Sequence, residues 1–566
     1  MPYRAPLSDF RFLLGRVVGF GQVAATDLFA EAQPETVEAI LSEAGRLCEN
    51  TLAPLNRAGD KEPARLENGV VRTSPGYADG YRAITAGGWV GIAAAPENGG
   101  MGLPLTLATC VNDMMGSACL ALQLNPLMTQ GQIEALEHHA SDAIKALYIP
   151  KLISGEWCGT MNLTEGGAGS DVGALRTKAE RNGDGTYAVT GQKIFITWGD
   201  NDFSGNVCHL VLARLPDGAP GTRGISLFMV PKFLPNDDGS LGPRNSLKVV
   251  SLEHKLGLHG SPTAVMSYEG ATGWLIGKEH GGMAAMFTMM NNARLGVGMQ
   301  GVAVAEAAFQ QALTYASERK QGKTPLGDGA IIDHADVRRM LGQMKAEVFS
   351  ARAIGLACAV ALDMARATGD AAWAARAALL TPIAKAYGTD VGNEVAYMGV
   401  QVHGGMGFIE ETGAAQFGRD VRVTAIYEGT NGIQAMDLVG RKMMDGGEAA
   451  FRLLGEIEAA ARAARAHLPD LSTDVWNAAE GLREGTEALL TMAPNDRNAG
   501  AVPYLRAFAR VLGAHYHLTA ALADPSRLPL ARFMIRRLLP EHTAMLAQMR
   551  EGAEGIYALT PEALVG

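Results

Sequence analysis

Hydrophobic spacing changes character twice along this chain, and that change narrows the available architectures more than any single motif does. From about residue 34 to 155, apolar side chains recur every three to four positions, as in 35–50, 105–124 and 133–153, which is the spacing of helices. The Gly/Pro-rich stretch Ala95-Pro-Glu-Asn-Gly-Gly-Met-Gly-Leu-Pro104 reads as a turn between two of them. Between about 157 and 276 the period drops to two. The short runs 187–189, 193–197, 207–213 and 225–230 are set apart by Gly, Asp, Asn and Pro, and 235–245 reads as a long polar loop. Helical spacing returns from 281 to about 442, where 297–321, 336–367 and 371–399 are long enough for a bundle. After a break at Met444-Asp-Gly-Gly-Glu448, an Ala-, Leu- and Arg-rich helical stretch runs to the end. The implied fold is α+β and mainly α: an N-terminal helical domain (1–156), a central β-barrel-like domain (157–278), a helix-bundle domain (279–445) and an appended C-terminal helical domain (446–566).

With 566 residues, 47% of them hydrophobic, the chain can bury several cores. Its longest apolar runs are cut by Gly, Pro or charge, so no membrane-spanning helix is expected. The opening Met1-Pro-Tyr-Arg-Ala-Pro-Leu-Ser-Asp-Phe10 lacks the basic-then-apolar order of a signal peptide, which points to the cytoplasm. Six cysteines are scattered singly and read as reduced, buried thiols; no metal site is expected, the pair His138-His139 lying in a polar helical stretch. A net charge of −10 disfavours nucleic acid or anionic membranes as partners, while leaving room for an anionic ligand held by a few arginines.

Chemistry concentrates in Ile426-Tyr-Glu-Gly-Thr-Asn-Gly-Ile-Gln-Ala-Met-Asp-Leu-Val-Gly440. One carboxylate, Glu428, stands between an aromatic and a glycine at the mouth of an apolar helix. Apolar surroundings penalise its ionised form, raise its pKa and make it a capable base near neutral pH. A second segment, Met161-Asn-Leu-Thr-Glu-Gly-Gly-Ala-Gly-Ser-Asp171, is a glycine-rich turn whose N–H groups and hydroxyls could meet a flat or phosphorylated ligand. Taken alone it reads first as a tight connection into the β domain. A literal Gly-x-Gly-x-x-Gly in Arg294-Leu-Gly-Val-Gly-Met-Gln-Gly301 is not a dinucleotide fingerprint, because it follows a helical stretch where that fingerprint needs a strand. These glycines are expected to let a helix pack closely.

Together with three further blocks, these segments resemble the acyl-CoA dehydrogenase family, in family order, over roughly 35–442. The further blocks are Gly191-Gln-Lys-Ile-Phe-Ile-Thr-Trp-Gly199, Tyr315-Ala-Ser-Glu-Arg-Lys320, and Gln401-Val-His-Gly-Gly-Met-Gly-Phe408 followed by Arg419-Asp420. Departures are Phe195 for a tryptophan, Trp198 for an asparagine, Gln416 for a basic residue, and Gln321-Gly-Lys-Thr-Pro325 after Lys320. The stretch beyond 446 resembles the extra domain of the longer members. Among those, the opening residues and the run around Glu428 look most like 3-methylmercaptopropionyl-CoA dehydrogenases.

The resemblance implies FAD as cofactor, with Leu163, Thr164, Gly169, Ser170, Phe195, Ile196, Thr197, Arg319, Gln401, Gly404, Gly405, Thr430 and Asn431 around it. Either Phe195 or Trp198 would cover a flavin face, Arg319 would meet the pyrophosphate, and the Gln401 turn would reach the FAD of a neighbouring subunit. It implies an acyl-CoA substrate touched by Ser170, Arg294 and Gly429, with Arg294 suited to phosphate. Glu165 and Asp171 become loop-shaping acids, and His403 a structural histidine. Glu428 would remove the α-proton while a hydride leaves the β-carbon for the flavin, giving a trans-2-enoyl-CoA. The Glu428 N–H and a ribityl hydroxyl would steady the enolate oxygen. An electron-transfer flavoprotein is the implied acceptor and a homodimer the implied assembly, the appended domain covering a surface that shorter members use to form tetramers. The alternatives are an acyl-CoA oxidase, and the DNA-associated alkylation-response flavoprotein of the same fold. The second would call for a basic C-terminal region, whereas 446–566 has nearly balanced Arg and Asp/Glu.

Overall fold

A helix that is apolar on every side has to be a core element, and two of the long helices here are of that kind. The computed structural model describes residues 3–324, 326–327 and 329–566; of the residues named above, Met1, Pro2 and Pro325 lie outside that set. After helix α1 (Pro34–Leu47), helix α2 (Leu105–His139) crosses the molecule, and α3 (Asp142–Ile153) follows it across a break at Ala140. Pro104 offers α2 no side-chain cap. Instead Asp363, from a helix far along the chain, accepts the N–H groups of Leu105 and Thr106, both at 2.8 Å, and the Thr106 hydroxyl at 2.6 Å. A carboxylate at a helix N-terminus satisfies orphan donors and opposes the dipole. By length and composition, α2 and the helix that carries Asp363 (α5 below) are apolar enough to cross a bilayer, contrary to the expectation from the runs. Here 89% and 83% of their most apolar windows are buried inside the protein.

The central domain is a closed sheet. Its strands are β1 (Trp157–Asn162), β2 (Lys178–Arg181), β3 (Tyr187–Thr197), β4 (Asn206–Arg214), β5 (Ile225–Pro231), β6 (Leu247–Leu252) and β7 (Thr263–Ile276). They run in the order β6-β7-β3-β2-β4-β1, and β5 closes the circuit by pairing antiparallel with both β4 and β7. Two features depart from the sequence reading. Overlapping 235–245 is a small hairpin, Phe233–Pro235 against Leu241–Arg244, whose tip is an Asx turn in which Asp238 accepts the Ser240 N–H at 2.9 Å. A second hairpin, Arg65–Glu67 with Val70–Arg72, lies inside the N-terminal helical region. Both are too short and too polar to show an alternating pattern.

Helices α4 (Gly282–Glu318), α5 (Ala335–Thr368) and α6 (Ala371–His403) form the bundle; α4 ends three residues before the expected 321. The Gly-x-Gly-x-x-Gly lies inside α4. A methyl group at Gly298 would stand 2.5 Å from the Ala384 carbonyl oxygen, and one at Gly392 of α6 2.7 Å from that of Gly301. The glycines thus let two backbones touch, as the sequence suggested, and they bring the two helices that flank Glu428 into register. The short helix α7 (Asn431–Val439) follows the Glu428 turn.

The appended region holds α8 (Glu448–Ala464), α9 (Pro469–Thr491), α10 (Ala501–Ala523) and α11 (Glu541–Arg550). It docks through α10, which packs on α5, α6 and α7. Buried Arg510 donates to Glu347 of α5 at 2.5 Å and to the Tyr387 hydroxyl of α6 at 3.0 Å. At the other end of the chain, Asp9 receives Lys345 at 2.6 Å and Arg527 at 2.8 Å, so the first and last segments meet over α5. All six cysteines are free and buried.

Candidate active site

Ahead of α7 the backbone does something a glutamate rarely tolerates. Glu428 and Gly429 are consecutive left-handed residues, with φ of 56° and 85°. Glycine accepts this; for a side chain it costs roughly 1–2 kcal/mol, which the surroundings must offset. They do so from three sides. Lys385 of α6 donates to the Gly429 carbonyl at 2.8 Å, Gln434 of α7 donates to the Glu428 carbonyl at 3.1 Å, and the Tyr427 hydroxyl donates to Gln300 of α4 at 2.5 Å. Thr430 caps α7, its hydroxyl oxygen accepting the Ile433 N–H at 3.3 Å. The Glu428 N–H, by contrast, donates to no acceptor among the described residues.

Burial raises the Glu428 carboxyl to about 7, against the pull of Arg294 and Lys385, whose positive charges favour its ionised form. Arg294 is only 6% exposed and faces Asp437 across 3.5 Å. Its Nε, together with Gln434 Oε1 and Asp437 Oδ2, is buried without a hydrogen-bond partner. The guanidinium thus sits among the charges of Asp437, Glu428 and Arg441. What it does here is bias Glu428 toward ionisation.

Asn431 is also turned inward. Its Oδ1 accepts from Lys385 at 2.9 Å and its Nδ2 donates to Asp390 at 2.7 Å, so both ends of the amide are engaged within the protein. Among the described residues the Thr430 hydroxyl donates to no acceptor.

The cofactor candidates in the β domain behave in the opposite way. Buried Lys193 donates to the Leu163 carbonyl at 2.9 Å and to Glu165 at 2.8 Å, and Glu165 also accepts the N–H groups of Arg176 and Thr177. Glu165 therefore shapes the loop. Thr164 ties it to β3 by accepting the Ile194 N–H at 2.9 Å through its carbonyl. Gly169 and Ser170 are exposed, and a Cβ on Gly169 would meet nothing within 4 Å. In β3 the register against β7 slips between Lys193 and Ile196, which throws Phe195 out of the ladder at φ 60° with 58% of its surface exposed. Bulges re-aim side chains in this way near functional sites. Ile196 is buried beneath it, and Thr197 is half-buried opposite Thr263. Trp198 is fully buried and donates to the Ala121 carbonyl at 3.0 Å, which leaves Phe195 as the aromatic able to cover a flat ring. An outward aromatic, nearby hydroxyls and an open glycine loop fit a flavin.

Arg319, Gln401, Gly404 and Gly405 form a separate group. Tyr315 stacks on His403 at 4.5 Å, so the C-terminal end of α4 lies beside the 401–405 turn, and His403 is held by the Gly399 carbonyl at 2.7 Å. Arg319 caps the same helix that carries Arg294, 25 positions away, or roughly 37 Å at about 1.5 Å per residue. Arg319 and the 401–405 turn therefore lie at the other end of α4 from Arg294. Lys385, Gln300 and Gln434 went unnoticed in the sequence. The signal for Lys385 was present, as a lone charge inside the apolar run Pro382-Ile-Ala-Lys-Ala-Tyr387.

Comparison with known proteins gives the family and the fold. Family models for the acyl-CoA dehydrogenase N-terminal, middle and C-terminal domains match 34–156, 160–271 and 280–444, and an acetyl-CoA dehydrogenase C-terminal-like model matches 453–560. A 3-methylmercaptopropionyl-CoA dehydrogenase of Ruegeria pomeroyi is 46% identical over 523 residues, covering 89% of this chain and 88% of the relative. Two solved structures share the fold. Caenorhabditis elegans ACDH-11 in complex with C11-CoA has a TM-score of 0.79 at 20% identity, covering 95% of this chain and 92% of its own. A Bacillus anthracis acyl-CoA dehydrogenase complexed with FAD has a TM-score of 0.76 at 19% identity, covering 97% and 92%. The chain belongs to the acyl-CoA dehydrogenase family of FAD-dependent oxidoreductases.

Proposed function

We propose that Glu428 is the base that removes the α-proton of an acyl-CoA thioester. The observation that carries this is the turn itself: a carboxyl raised to about 7 stands beside its own unengaged backbone N–H, on a backbone held from three sides. Removing an α-proton builds charge on the thioester oxygen, and the Glu428 N–H is a donor available to meet it. Left-handed geometry lets one residue offer both base and donor. FAD, when bound, accepts the hydride leaving the β-carbon and so carries the redox chemistry. Phe195 would pack on the ring system, with Thr164, Ser170, Thr197 and Thr430 offering hydroxyls, and the exposed loop at Gly169 and Ser170 admitting the acyl-CoA.

For the substrate we take a short thioether acyl-CoA, 3-methylmercaptopropionyl-CoA, ahead of fatty acyl-CoAs; the Ruegeria relative supports this. The separation of Arg319 from Arg294 along α4 supports a homodimer in which Arg319 and the 401–405 turn serve the neighbouring subunit's FAD. A cytoplasmic enzyme passing electrons to an electron-transfer flavoprotein, with domains dividing near 156, 278 and 445, completes the reading. The test is anaerobic bleaching of the flavin by a panel of short, long, branched, aromatic and thioether acyl-CoAs, with wild type and Glu428→Gln. Fastest bleaching by the thioether substrate is expected, with loss of bleaching in the variant. A variant that still bleaches at a near-normal rate would show that another group is the base.

A further inference from the structure

The polar groups behind the Glu428 turn do not stop at the turn. Lys385 is a buried cation with two acceptors in line, the Gly429 carbonyl at 2.8 Å and Asn431 Oδ1 at 2.9 Å. Asn431 passes the contact on, donating to Asp390 at 2.7 Å and to the Thr389 hydroxyl at 3.0 Å. Asp390 and Glu394 lie one turn apart on α6. Arg506 of the appended domain grips Glu394 with both terminal nitrogens, one of them at 3.0 Å, and its charge also reaches Asp390. Polar groups therefore extend from the appended domain to the peptide that follows Glu428, hydrogen-bonded at both ends and linked between Arg506 and Asp390 by charge alone.

We propose that Lys385 is a positioning residue for Glu428, clamping the left-handed turn through Gly429 and Asn431, and that the appended domain braces this clamp through Arg506. The inference rests on Glu428 being the base. The reasoning is physical. A strained φ persists only where neighbours over-determine it, and Lys385 ties both the carbonyl of Gly429 and the side chain that begins α7. Burial lowers the Lys385 ammonium to about 8, opposed by Glu428 and Asp390 and reinforced by Arg294, so it keeps its charge through neutral pH. Other charged or titratable groups facing this cluster are Tyr427 on the turn, Asp437 on α7, and Arg441 and Lys442 beyond it. None of these donates to the turn's backbone.

The experiment uses the FAD-loaded enzyme and two readouts: the pH midpoint of acyl-CoA bleaching, and the infrared band of the protonated Glu428 carboxyl without substrate, identified by its loss in Glu428→Gln. Lys385→Met removes clamp and charge together. Bleaching should slow by at least tenfold, and both midpoints should rise by about one pH unit, because an opposite charge no longer favours the carboxylate. Lys385→Arg should recover most of the midpoint. Asn431→Leu removes the Asn431 arm of the clamp, leaving the Lys385–Gly429 contact, and keeps the charge, so the rate should fall while the infrared midpoint stays put, and this variant carries the test if Lys385→Met fails to fold. Arg506→Gln should slow bleaching several-fold with FAD content unchanged. Wild-type midpoints in Lys385→Met, or a wild-type rate in Asn431→Leu, would overturn the clamp, and a wild-type rate in Arg506→Gln would overturn the brace. If instead Glu428→Gln still bleaches, it is the assignment of the base that fails.

Discussion

The Glu428 turn and the Gly169–Phe195 surface stand for two ways of building a site. Around Glu428 the protein holds carbonyls and side chains from inside, through Lys385, Gln434, Gln300 and Asp390, and spends even Asn431 on the scaffold, while among the described residues the Glu428 N–H stays open. At Phe195 and the glycine loop the protein leaves groups open, an aromatic 58% exposed on a bulge and a glycine whose missing side chain borders no neighbour. The same openness marks the 404–408 segment, where Phe408 is 88% exposed. On the proposed reading, the group that acts on a reacting atom is fixed by the chain, while those that would receive a ligand or a second subunit are left open.

That contrast can be broken by mutation, and the sharpest break is at the base. Glu428→Gln should lower the rate of flavin reduction roughly 10³-fold with FAD retained, since a positioned general base contributes about that much. In the unaltered enzyme kcat/KM should rise with pH through about 7 and then level, because the carboxyl must be ionised to accept a proton. A falling limb in that range would remove the base assignment. Second in size is Gly301→Ala, in the helix seam that sets α4 against α6. Its methyl would collide with the backbone at Gly388, and overpacking against a backbone that cannot yield should cost about 3 kcal/mol in denaturant titrations.

The open surfaces should respond the other way. Gly405→Val has empty space before it, so the FAD-free subunit should keep its stability, yet FAD affinity should drop about tenfold and dimer dissociation should increase if a second copy closes over the turn. Unchanged affinity and assembly would make the turn a bare loop. Smallest of all is Phe195→Gly. Relieving the left-handed strain offsets the flexibility glycine adds, so stability without FAD should stay within about 1 kcal/mol. Reconstitution with FAD should weaken, and unaltered reconstitution would take Phe195 out of the cofactor site.

Much of this was legible from residue order. The switch from helical to alternating spacing near 157 and back near 281 marked the sheet and the bundle, because burial on one face or all round leaves its period in the sequence. The reading of Gly298 and Gly301 as a packing seam also came from context, since a helical stretch precedes them. Other readings needed three dimensions. Two aromatics, Phe195 and Trp198, were equal candidates to cover a flavin until a one-residue slip in the β3–β7 ladder sent one outward and buried the other.

By itself the sequence determined the family, the element order and the position of the acid, since these rest on local pattern and on a short ordered motif. Only the tertiary structure decided who surrounds that acid. Arg294 turned out to be an enclosed neighbour of Glu428, Arg319 an occupant of the far end of the same helix, and Lys385 the group that holds the turn. Such contacts join residues dozens to hundreds of positions apart. Their distances are set by how helices cross and where a backbone can approach, and neither is written in the local spacing of side chains.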